Sequence, residues 1–130
     1  MHRAEESYEP RRSVFVAEDE NVLGFVGRVL RRAGYQMVPA INGAGAHDVF
    51  CRHASELVLI VVGLVLPGMS GAKFVNALPT LEPRIPILFT ICPGEFERDL
   101  AGPSLKKPFS AAELQRAISD ACFGYPAAIV

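Results

Sequence analysis

A chain of 130 residues is the size of one domain with one hydrophobic core, and its make-up, half apolar and 21% charged, is that of an ordinary globular protein. The formal charge of −1 leaves no electrostatic case for nucleic acid or an anionic membrane surface as a direct partner. The longest apolar run, Leu57 to Leu66, contains Gly63 and falls well short of the roughly 20 residues of a membrane span, and the stretch after Arg11-Arg12 is too short and too acidic for a signal peptide, so a cytoplasmic location is expected.

Residues 1–12 are polar and charged and read as a flexible arm. Val14-Phe15-Val16-Ala17 is apolar at every position and is closed by Glu18-Asp19-Glu20. Such a run suits a strand buried on both faces, hence a parallel sheet between two helical layers. Asn21 to Ala33 comes next as a helix. Val22, Val26, Val29 and Leu30 form its apolar stripe, Arg28, Arg31 and Arg32 form a basic one, and Gly34 stops it. The basic stripe reads first as a solvated helix face. Tyr35 to Ala40 is a strand that Pro39 confines to an edge. Ala44 to His53 is a helix of low amphipathicity. Leu57 to Val62 is the strongest strand, bounded by Gly63 and by Pro67-Gly68. Gly71 to Leu78 is a short helix, Ile85 to Thr90 an apolar strand, and Leu105 the centre of a short last strand. Ser110 to Phe123 closes the series as a helix, with Ser110 and Glu113 spaced as a capping box and Leu114, Ile118 and Ala121 on its apolar face.

Strands alternating with helices imply a doubly wound α/β domain, a five-stranded parallel sheet with helices on both faces, over residues 13–123. Residues 124–130 form an apolar tail in which Pro126 discourages further helix; it suits an apolar patch or a homodimer contact. Ligands of such folds bind beyond the carboxyl ends of the strands, which singles out Glu18, Asp19, Gly63, Thr90 and Lys107. The three cysteines, Cys51, Cys92 and Cys122, match no metal-ligand spacing and read as small buried residues in a reducing compartment, with Cys92 the one placed for redox chemistry. His2, His47 and His53 read as scattered surface residues.

Four segments in order resemble the response-regulator receiver family. They are Val14 to Glu20 with its acidic pair; Leu64-Val65-Leu66-Pro67-Gly68-Met69-Ser70-Gly71; Ile85-Pro86-Ile87-Leu88-Phe89-Thr90 with its terminal hydroxyl; and Lys107-Pro108-Phe109-Ser110. Together they span about 14 to 122. The resemblance implies the flavodoxin-like receiver fold and a role in two-component or phosphorelay signalling, as a module and not an enzyme. It also implies roles: Glu18 and Asp19 with the Val65 carbonyl would hold Mg²⁺, Lys107 would hold phosphoryl oxygens, and Thr90 would follow the phosphate. The acceptor aspartate falls at Gly63, and no aspartate lies between residues 49 and 98 to replace it. Glycine has no carboxylate to form an acyl phosphate or to ligate a metal.

Two carboxylates alone should hold Mg²⁺ weakly at most, so no cofactor is expected, and Lys107 should instead pair with Asp19 or Glu18. The aromatic residue that the resemblance leads one to expect three places before the lysine is Ser104. The interval from Thr90 to Lys107 is several residues short, so the fourth helix should be short or missing. These features point to a pseudo-receiver acting by protein–protein contact, with a histidine kinase, a phosphotransfer protein or another regulator as partner. Two rivals stand beside it: a phosphorelay receiver with a non-standard acceptor such as Ser70 or Thr90, and a small-ligand module reusing the pocket vacated at Gly63.

Overall fold

Along β1 (Ser13–Ala17), Val14 and Val16 point to one side of a sheet and Phe15 and Ala17 to the other, and all four are buried. The structure is a computed structural model that describes residues 12–41, 43–79, 84–96 and 99–123. After β1 come α1 (Glu20–Arg32), β2 (Gln36–Ala40), α2 (Gly43–His53), a 3₁₀ turn (Ala54–Glu56) and β3 (Leu57–Gly63). A small hairpin of β4 (Val65–Leu66) and β5 (Met69–Ser70) leads into α3 (Gly71–Asn76), β6 (Ile87–Ile91), β7 (Ser104–Lys106) and α4 (Ala111–Cys122).

Five strands form one parallel sheet in the order β2-β1-β3-β6-β7. The chain moves outward from β1 to β2, then returns past β1 to β3 and builds in the other direction. The reversal lies between β1 and β3, and the crevice beyond their carboxyl ends is the place where this architecture presents a site. One face of the sheet is covered by α1 and α4, through Val26, Leu30, Leu114 and Ile118 against Val14, Val16, Leu59 and Val61. The other is covered by α2 and α3. There Phe15 meets Phe50 edge-on at 5.6 Å and stacks on Phe74 at 5.8 Å. Leu114 and Ile118 are almost wholly removed from water; burial of that kind contributes about 1.5–3 kcal/mol per side chain and holds α4 down.

Local signals set the ends of the elements. Gly34, at φ 93°, lets the Gly34 and Tyr35 N–H groups turn back to the carbonyls of Arg31 and Leu30, which closes α1. The Ser110–Glu113 capping box is present at α4. β2 is an edge strand, as Pro39 requires, because a proline has no N–H to give a second neighbour. The apolar stripe of α1 is Leu23, Val26, Val29 and Leu30, with Val22 only half-buried. The predicted third helix ends earlier, at Asn76. β6 starts at Ile87 because Pro86 lacks a donor, although its carbonyl still accepts from Ile60 N–H at 2.9 Å. Between β6 and β7 the described residues hold a turn and bends and no helix, which fits the shortened interval.

The cysteines depart from expectation: Cys51 is exposed and Cys92 and Cys122 are half-buried, because the solvent side of a short helix and the ends of elements leave them outside both core layers. The histidines are not all isolated either. His47 and Cys51 are four apart on α2, and their Nδ1 and Sγ lie 3.7 Å apart. His53 meets Glu56 at 2.8 Å, and Ser13 donates to the same carboxylate at 3.0 Å. The arm, residues 1–12, and the tail, residues 124–130, fall outside the described residues apart from Arg12. No helix among the described residues is long and apolar enough to cross a membrane.

Candidate functional site

Strand register assembles the site. Ala17 lies opposite Val62 and Gly63 opposite Thr90, so the next residue of the chain after β1, Glu18, continues a row Glu18–Gly63–Thr90 across three adjacent strands. Neighbouring strands are about 4.8 Å apart, so Glu18 and Thr90 stand two spacings apart with Gly63 between them. A side chain at position 63 would fill that gap. Glycine leaves it open, and the Glu18 side chain crosses it.

The crossing is complete. A Cβ built on Gly63 would stand 3.0 Å from Glu18 Oε1 and 3.1 Å from Oε2. The Thr90 hydroxyl donates to Glu18 Oε2. Lys107 Nζ lies 2.9 Å from Oε2 and 3.2 Å from Oε1. The Asp19 backbone N–H donates to Oε1 at 3.0 Å. Glu18 is 1% exposed and Thr90 is fully buried, and no buried side-chain polar atom among the described residues lacks a partner. Lys107 is anchored from its own backbone, whose N–H donates to the Ile91 carbonyl at 2.8 Å, one residue past Thr90. Burial pulls the Lys107 pKa down, but the hydrogen bond and charge of Glu18, helped by Cys92 and Asp19, outweigh it and the net shift is upward.

Of the two acidic candidates for the lysine, the structure selects Glu18. Asp19 is the N-cap of α1: Oδ1 accepts from Asn21 N–H at 2.8 Å and Val22 N–H at 3.2 Å. Chain length decides this. The aspartate reaches only its own helix end, where the dipole favours its charge. The glutamate has one more methylene and reaches across β3.

The other predicted residues are peripheral. Val65 is 62% exposed and pairs with Ser70 in the hairpin. Ser70 caps α3 by accepting from Lys73 N–H at 3.3 Å. Ser104 is exposed, opposite Phe89 on β7. Gly71 is needed where it stands, because a Cβ there would collide with the Gly63 carbonyl, while its N–H donates to the Leu64 carbonyl at 2.7 Å. No group of three or more His, Cys, Asp or Glu side chains able to hold a metal occurs among the described residues. Clefts of about 340, 280 and 530 Å³ lie elsewhere, and Gly63 lines none of them. Sequence reasoning missed that Glu18 replaces the missing side chain in space. The available signal was the pairing of a long acid at 18 with a glycine at 63.

No protein-family model matches the chain. Among curated proteins it is 32% identical over 108 residues to the response regulator RppA of Synechocystis, covering 78% of this chain and 46% of that protein. It is 28% identical over 115 residues to the sensor kinase CckA of Brucella abortus, covering 83% of this chain and 12% of the kinase. It is 23% identical over 112 residues to sporulation initiation phosphotransferase F of Bacillus subtilis, covering 81% and 89%. The chain thus spans about half the length of RppA and a small part of CckA. Among solved structures, a receiver domain from Clostridium thermocellum superposes with a TM-score of 0.75 at 19% identity, covering 85% of this chain and 94% of that one. The receiver domain of the hybrid histidine kinase CckA superposes with a TM-score of 0.71 at 20% identity, covering 85% and 98%. Sequence relatives, sheet order and the arrangement of the four segments agree: the chain carries a receiver domain of the response-regulator family.

Proposed function

We propose that this receiver is a pseudo-receiver, a signalling module that is not phosphorylated and acts by protein–protein contact. One observation carries the reading. The carboxylate of Glu18 fills the space above Gly63 and already engages Thr90 and Lys107, the two groups the resemblance assigns to an incoming phosphoryl group. The acceptor position has no nucleophile, and the groups that would answer a phosphate answer a permanent side chain. The module therefore holds one conformation, and its signal is its presence or its binding partner, not its phosphorylation state.

Magnesium has no role in this reading. The ion wants hard oxygens in octahedral array. Here one candidate carboxylate is neutralised by Lys107 and the other caps a helix. The rival acceptors are less well supported: the Ser70 oxygen is spent on capping α3, and the Thr90 hydroxyl is buried and donated to Glu18. A small ligand in the vacated pocket would have to displace Glu18 from three donors. The partner class is a histidine kinase, a phosphotransfer protein or another regulator, in keeping with relatives named as a sensor kinase and a phosphotransferase.

The test is intact-mass measurement after incubation with acetyl phosphate and Mg²⁺, alongside thermal unfolding with and without Mg²⁺. The mass and the Tm should both stay unchanged. An added phosphoryl group on any residue overturns the reading.

A further inference from the structure

A cleft of about 530 Å³ lies where α1, the outer edge of β2 and the first turns of α2 meet. Its lining is apolar: Leu23, Met37, Pro39, Ile41 and Val49 contribute, and Ile41 is 48% exposed. The wall supplied by α1 is bare. Gly24 lines it, and among the described residues, the backbone of α1 aside, the atom nearest to where its Cβ would stand belongs to the Arg28 guanidinium, at 3.8 Å. One turn further, Gly27 lies against Met37, whose Cε is 3.1 Å from the position of a Cβ. Gly24, Gly27, Arg28 and Arg31 share one helical face, by their spacing of three, four and seven residues. The cleft is thus an apolar trough with Gly24 in its α1 wall and the exposed Arg28 beside it; Arg31, also exposed, follows three residues further along α1, and neither arginine has an ion-pair partner among the described residues.

We propose that this trough receives an amphipathic helix of a partner protein, with an apolar ridge flanked by carboxylates. Gly24 lets a helix approach closely, Met37 adapts to the ridge, and Arg28 and Arg31 select the acidic flank. An added strand is disfavoured. Gln36 N–H and the Ala40 carbonyl bond toward β1 and its extension, so Met37 and Pro39 face outward, and Pro39 offers an incoming strand no donor. Among the described residues, neither α1 nor α4 of a second copy supplies the complementary element, because their apolar ridges are buried in their own core and α1 is basic at its exposed end. The proposal is independent of whether position 63 accepts phosphate.

The probe is a synthetic helix of about 18 residues, long enough to hold helix in solution. It carries leucines at every third and fourth position and glutamates beside them, and a twin carries lysines in place of the glutamates. Fluorescence anisotropy with the full chain should give the acidic peptide an affinity at least about tenfold tighter than its twin. Gly24→Leu should fill the trough and weaken binding about tenfold, with its urea midpoint at or above that of the wild type, since leucine is the better helix former. Arg28→Glu combined with Arg31→Glu should invert the preference between the two peptides. Equal affinity for the twins, full binding by Gly24→Leu, or no saturation by the acidic peptide at millimolar concentration overturns the proposal. So does a dimer in sedimentation that Gly24→Leu abolishes, which would assign the trough to a second copy.

Discussion

Placing an aspartate at position 63 forces two carboxylates into a space built for one. Its Cβ would stand 3.0 Å from Glu18 Oε1, and Glu18 cannot withdraw without losing Lys107, Thr90 and the Asp19 N–H. Gly63→Ala reports the steric part alone. Overpacking of this kind costs about 1–3 kcal/mol, and the loss of glycine's freedom in the unfolded chain returns about 0.4–1 kcal/mol, so the net is about 1 kcal/mol of destabilisation. Aspartate adds charge. Two carboxylates about 4 Å apart repel by about 4 kcal/mol at an effective dielectric near 20. Lys107 offsets part of this, and protonation of one carboxyl caps the rest. Gly63→Asp should therefore cost about 3 kcal/mol at pH 7, and Gly63→Asn, which has the shape without the charge, should fall within about 1 kcal/mol of alanine. Urea unfolding of the three variants, with and without Mg²⁺, is the assay. Millimolar Mg²⁺ should return part of the loss to the aspartate variant and little to the wild type, because an ion held only by the folded state stabilises it by mass action. An aspartate variant as stable as the wild type in metal-free buffer, or equal losses for aspartate and asparagine, refutes the view that Glu18 occupies this space.

Lys107→Met should lower stability by about 3 kcal/mol in the same assay, because it strands the buried Glu18 carboxylate without its cation. The raised Lys107 pKa has a definite pH signature: its contribution is complete below the ordinary 10.5 and is lost as pH rises through the higher folded value. The wild type should therefore lose stability above about pH 10.5 more steeply than Lys107→Met. The difference between the two is the readout, since burial raises Tyr35 as well and it titrates on the same limb in both. Thr90→Val keeps the shape and removes a buried donor to Glu18, for a loss of about 1–2 kcal/mol by urea unfolding. Ser110→Ala should cost about 1 kcal/mol by the same measurement, by removing the side-chain half of the α4 capping box.

Much of the fold is legible in the chain because its signals are local. An unbroken apolar run such as Val14 to Ala17 suits a strand covered on both faces, Pro39 belongs at an edge, and Ser110 with Glu113 opens a helix. That the helix between β6 and β7 is short or missing is a matter of counting residues between Thr90 and Lys107, and the described residues there hold none. The ends of elements were less legible. Asn76 and Ile87 replace Leu78 and Ile85 because frayed turns and a proline without a donor are decided by what packs nearby.

The sequence by itself determined the sheet, the helices, the absence of a carboxylate at position 63 and the survival of Glu18, Asp19, Thr90 and Lys107 at strand ends. Tertiary structure alone decided what those survivors do. Glu18 and Asp19 are neighbours of equal charge, and charge alone does not say which of them meets Lys107. Register places Glu18 in a row with Gly63 and Thr90, and the empty glycine between them opens a path that the longer side chain can take to Lys107. Asp19, one residue later and one methylene shorter, meets the free N–H groups of α1 first and stays there. The trough along β2 belongs to the same class. Gly24 is an ordinary glycine in the sequence, and it becomes a wall only when the helix that carries it is laid against an edge strand.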